Sequence, residues 1–67
     1  MANPQEILDY LAVNGPANVQ EIAAGLAAAP PDVASAVASL NTEERLVEVV
    51  ADKRWALTEK GERRVRR

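Results

Sequence analysis

The side chains missing from this chain narrow its chemistry first. There is no histidine and no cysteine in its 67 residues. The usual nucleophile–base pairs and thiolate metal sites therefore cannot be assembled. Ser35 stands three residues after Asp32, but no base is available to activate its hydroxyl. Glu43, Glu44 and Glu48 follow no metal-ligand spacing, and no glycine-rich phosphate loop occurs. The expectation is a protein that is not an enzyme and needs no metal or organic cofactor. What remains is cationic chemistry. Lys53 and Arg54 adjoin each other, and Arg63, Arg64, Arg66 and Arg67 crowd the C-terminus. Lysine and arginine hold phosphate oxygens. Basic residues near a helix C-terminus also complement its dipole, by about 0.3–1 kcal/mol each.

These cations stand out because charge is divided unevenly. Net charge is only −2. Residues 1–50 carry seven acids against the single base Arg45, whereas residues 51–67 carry seven bases against three acids. A near-neutral whole argues against a strong nucleic-acid footprint, while a basic end still permits one. The length fits one small domain, residues 1–67, with a modest core. Thirteen of the apolar residues are alanine, and Tyr10 and Trp55 are the only aromatics. Core area must come from Leu, Ile and Val. No signal peptide and no apolar run of membrane-spanning length is evident. A soluble, cytoplasmic protein without membrane contact is expected, and its Met-Ala start reads as a natural one.

Apolar spacing and helix punctuation define the elements that must position the cations. Asn3 and Pro4 suit the start of a first helix with Ile7, Leu8 and Leu11 on one face, ended by Asn14-Gly15-Pro16. Ala17 is predicted to be extended. Asn18 and Glu21 have capping-box spacing before a second helix with Val19, Ile22, Ala23 and Leu26 inward. Pro30-Pro31 marks the next boundary, with Pro31 and Asp32 in the first turn of a third helix. Its inner stripe is Val33, Ala36, Val37 and Leu40, and its outer face is Ser35, Ala38, Ser39 and Thr42.

A hairpin follows, and its register can be argued. A three-residue loop Ala51-Asp52-Lys53 places Val47, Val49, Trp55 and Leu57 on one face. A two-residue loop would put Glu48 on the face of Trp55 and Leu57. Side-chain alternation therefore selects the first register, although such a loop favours a glycine that this one lacks. Thr58 then caps a last, basic helix containing Val65.

These segments resemble the winged helix-turn-helix superfamily, most closely its small single-domain bacterial and archaeal regulators. The resemblance rests on E-I-A-A-G-L, V-A-S-A-V-A-S-L, R-L-V-E-V-V and R-W-A-L-T-E-K-G, and covers roughly residues 4–65. The fold class it implies is mainly α with a small β-hairpin: a three-helix core, a short wing and a C-terminal helix. The role it implies is that of a double-stranded DNA-binding module, a transcriptional regulator or accessory factor. By position, the recognition helix would present Ala34, Ser35, Ala38, Ser39 and Thr42. Lys53 and Arg54 would lie at the wing tip, and Arg63 and Arg64 in the basic C-terminal run are further candidates for phosphate contact. Many relatives carry Arg, Lys, Asn or Gln on that helix, and often Gly at the position of Glu44. Short hydroxyls and methyls cannot make bidentate base contacts, so binding would act mainly through the DNA backbone. Winged helices that hold left-handed duplexes place Asn and Tyr where this chain has Ala34 and Ala38, which sets that subgroup aside.

A second class of function fits the same residues. The acidic first fifty positions and exposed alanines such as Ala24, Ala28, Ala34 and Ala38 suit a winged helix that forms a homodimer or binds a protein partner without DNA.

Overall fold

The computed structural model describes residues 3–66; Met1-Ala2 and Arg67, the last member of the basic run, lie outside the described residues. Along the chain come α1 (Pro4–Asn14), α2 (Val19–Leu26), α3 (Pro30–Ser39) and a π-helical turn (Leu40–Glu44). Then follow β1 (Val47–Val50), a 3-10 turn (Ala51–Lys53), β2 (Arg54–Leu57) and α4 (Glu59–Val65). This is the three-helix core, short wing and C-terminal helix expected from the sequence.

Each helix start has a local cause. The Asn3 side chain accepts the Gln5 N–H at 2.9 Å, and Pro4 opens α1. At α2 the Asn18 side chain accepts the Glu21 N–H at 2.8 Å, and the Asn18 N–H donates to Glu21 Oε1 at 2.9 Å. The capping box is thus complete. No side chain caps α3. Pro30 and Pro31 occupy its first positions, where an absent N–H leaves no intrahelical bond unmade, and Asp32 faces the positive helix end.

The end of the third helical segment differs from expectation. Beyond Ser39 the backbone widens into the π turn, so Thr42 lies in that turn rather than on α3. The turn closes on one carbonyl: Leu40 C=O accepts from both Arg45 N–H and, at 3.0 Å, Leu46 N–H. The left-handed residue that reverses the chain is Arg45, with φ of 53°, and not Glu44.

The hairpin has the register that alternation selects: Val47 opposite Leu57, Glu48 opposite Ala56, Val49 opposite Trp55, Val50 opposite Arg54. Its turn contains two left-handed residues, Asp52 at φ 64° and Lys53 at φ 59°. Side chains therefore sit where glycine would relieve crowding. On the far edge of β2, Trp55 N–H donates to Ala17 C=O at 2.7 Å, and Ala17 N–H donates to Trp55 C=O at 3.0 Å. The extended piece at Ala17 is a one-residue third strand. Val49 does not follow Val47 into the core: Val47 is fully buried and Val49 is 57% exposed. They share a sheet face, but Val49 lies on the wall of an open groove beside the start of α2.

The core gathers Ile7, Leu8 and Leu11 from α1, Ile22 from α2, Val33 and Val37 from α3, and Leu40, Leu46 and Val47 beyond it. Two glycines sit at close approaches, Gly61 against backbone and Gly25 against a side chain. A Cβ on Gly25 would run into the Tyr10 ring where α1 crosses α2, and one on Gly61 would meet the Leu46 carbonyl oxygen. The second contact seats α4 against the start of β1.

Candidate functional site

The wing tip is built by the turn that joins β1 and β2. Lys53 and Arg54 are exposed there. Lys53 and Asp52 border an open groove whose other walls are Asn18, Val19 and Gln20 at the start of α2, with Val49 and Trp55 from the wing. The Ala17–Trp55 bridge is what holds the wing beside α2. Trp55 is half-buried and packs on the core. Its ring closes the small core and its backbone carries the bridge. Asn18, Val19 and Gln20 were not singled out in the sequence as part of this surface. Their spacing reports a helix start, and nothing local reports that strand residues 29 to 37 positions away come to rest against it.

The second surface is the outer face of α3. Ala34, Ser35, Ala38 and Ser39 are exposed, as is Thr42 in the π turn, while Val33 and Val37 are buried. The helical period thus sorts inside from outside as expected. Ser35 and Ser39 line a groove with Asn3 and Pro4 from the start of α1 and with Asp32, Glu43 and Glu44. Its charged lining is wholly carboxylate. A phosphate approaching this flank would meet like charge, whereas Ala34 and Ala38 stand outside that groove.

The C-terminal arginines divide. Arg63 and Arg66 are exposed. Arg64 donates to Glu44 Oε1 at 3.2 Å, with the two side chains 40% and 46% exposed. This pair ties α4 to the π turn, so the charge of Arg64 is already opposed by a carboxylate. Arg64 therefore sits at the C-terminal end of the third helical segment, and Lys53 sits beside the start of α2. No single groove brings Lys53 and Arg54 together with Arg63 and Arg64 among the described residues. Arg45, the single base of residues 1–50, is also exposed. Its carbonyl accepts a 2.6 Å bond from Thr58 Oγ1, the hydroxyl that in turn accepts the Gly61 N–H at 3.1 Å.

Among the described residues no three acidic side chains gather as a metal site. Among the described residues no single helix is long and apolar enough to cross a membrane.

No protein-family model matches this sequence, and no curated protein matches it. A solved structure does: a MarR family protein from Bacillus stearothermophilus superposes with a TM-score of 0.85 at 28% identity, covering 98% of this chain. The chain spans 49% of the length of that protein.

Proposed function

We propose, from the premise that the chain is a winged helix-turn-helix domain, that it binds double-stranded DNA mainly through the phosphate backbone and serves as a transcriptional regulator or accessory factor. The observation that carries this reading is the paired hairpin with Lys53 and Arg54 exposed at its tip beside the start of α2. The likeness to a MarR family protein supports it. In this reading Ala34, Ser35, Ala38, Ser39 and Thr42 face the major groove. They are short enough to let the helix approach closely, and too short to pair with base edges in bidentate fashion. Lys53, Arg54 and Arg63 hold phosphates, and Arg64, already opposed by Glu44, contributes less. No catalytic role is assigned to any residue.

The test is a titration of random-sequence duplex DNA at two salt concentrations, followed residue by residue by NMR. The expected result is binding that weakens steeply with salt, by about 0.9 in the log–log slope per phosphate neutralised. Shifts should centre on Lys53, Arg54 and the outer face of α3. Lys53→Ala with Arg54→Ala should weaken all sequences alike and flatten the slope. Absence of binding at low salt would remove the reading.

One observation favours a second reading, in which the outer face of α3 receives a protein. Asp32, Glu43 and Glu44 surround Ser35 and Ser39 in one groove. Glu44 is already opposed by Arg64, so Glu43 is the carboxylate that a basic side chain of a partner would meet there. This reading expects NMR shifts confined to that groove upon adding a basic protein partner, with no response to duplex DNA.

A further inference from the structure

The free edge of the wing is open at one definable point. Trp55 uses both of its backbone groups on Ala17. In an antiparallel ladder the bonding direction alternates along each strand, so Trp55 and the residue opposite it form a non-hydrogen-bonded pair. That residue is Val49. Its N–H and C=O therefore point away from β2, out of the sheet edge. Two further bonds fix the same alternation. Thr58 N–H donates inward to Leu46 C=O at 3.0 Å, and the Val47 carbonyl, pointing outward, is met by Asn41 Nδ2 at 2.9 Å. Asn41 closes the edge at Val47. No group among the described residues closes it at Val49.

The side chains agree with the backbone. The large apolar residues left exposed among the described residues are Val13, Val49 and Val50, at 84%, 57% and 39%. Two of the three are neighbours on this edge strand. An unpaired edge with exposed β-branched side chains is a template for a further strand.

We propose that β1 pairs antiparallel with β1 of a second copy of this chain, about a two-fold axis through Val49. This register makes Val49 and its symmetry mate a hydrogen-bonded pair, each donating its N–H to the other's C=O. Their side chains then meet on the Trp55 face. Glu48 falls opposite Val50 of the partner, on the face that also bears Arg54. Across the joined sheet the row reads Glu48 of one copy, then Val50 and Arg54 of the other. Carboxylate and guanidinium flank one valine, within reach of each other above it. The two-fold repeats that contact, and no like charges stand directly opposite. Complementary charge at both ends is what singles out a second copy as the occupant. The inference does not depend on DNA binding.

The experiment is sedimentation equilibrium over micromolar to millimolar protein without DNA, with amide exchange measured across the same range. A reversible dimer is expected, together with slowing of Val49 amide exchange as concentration rises. Val49→Pro removes the outward N–H while leaving the β1–β2 ladder intact, because that N–H bonds nothing within it. Val49→Lys places a charge on the edge and serves as a second variant should the proline disturb the hairpin. Either should weaken self-association by about tenfold or more. Glu48→Arg alone should weaken it as well, and Glu48→Arg with Arg54→Glu should restore it. A monomer at every concentration overturns the proposal and leaves the edge to solvent or to a different chain. A dimer that survives Val49→Pro and Val49→Lys, or in which Val49 exchanges at its monomer rate, overturns it equally.

Discussion

Arg45 and Lys53 show how single residues set this fold at some cost. Both hold left-handed backbone, at φ 53° and 59°, where a Cβ crowds the following carbonyl. Glycine removes that crowding but frees the unfolded chain. Arg45→Gly should therefore raise stability by about 1 kcal/mol, seen as a higher midpoint in thermal unfolding. Glu44→Gly should lower it, because Glu44 is helical and holds Arg64. Lys53→Gly separates two properties of one residue: the melting temperature should rise while affinity for duplex DNA falls. The opposite kind of residue is Gly61. A methyl there meets the Leu46 carbonyl oxygen, backbone that cannot move aside cheaply. Gly61→Ala should cost about 1–3 kcal/mol, with the midpoint falling roughly 4–8 °C per kcal/mol in a domain of this length.

Among elements, helix starts were legible because capping is local. Asn18 and Glu21 stand three apart, and their reciprocal bonds form within one turn. Asn18→Ala should cost about 1 kcal/mol, measurable by denaturant unfolding with an unchanged slope. Hairpin register was equally legible, since a one-residue slip would carry Glu48 onto the face of Trp55 and Leu57. The end of α1 at Asn14, with Gly15 as its cap, was legible too, but the end of the third helical segment was not. The π turn is fixed by Leu40 C=O accepting two N–H groups and by the need to deliver Leu46 into the core. Neither requirement leaves a mark on the sequence at Asn41 or Thr42. Thr58 joins two elements at once, accepting from Gly61 N–H and donating to Arg45 C=O. Its capping role could be read from the sequence, and its tether to Arg45, thirteen residues earlier, could not.

For the molecule as a whole, electrostatics decide which surface meets a polyanion. Glu44 and Arg64 are both partly exposed, so their pairing contributes little to stability, about 0–1 kcal/mol. It matters more for binding. Glu44→Gln should leave the melting temperature nearly unchanged while strengthening association with duplex DNA severalfold, because it removes a carboxylate from the flank of α3. Equal affinity in the two proteins, compared at low salt, would show that the Glu44 carboxylate does not oppose binding.

By itself the sequence determined the element order, the inward faces of the helices and the hairpin pairing. These follow from periodicity, caps and alternation, which act over a few residues. Only the tertiary structure decided that Ala17 completes the wing sheet, that Val49 lies outside the core, and that Arg64 is opposed by Glu44 while Lys53 borders α2. Each of those depends on which surfaces of distant segments are buried together, and burial belongs to the packed molecule rather than to any stretch of its chain.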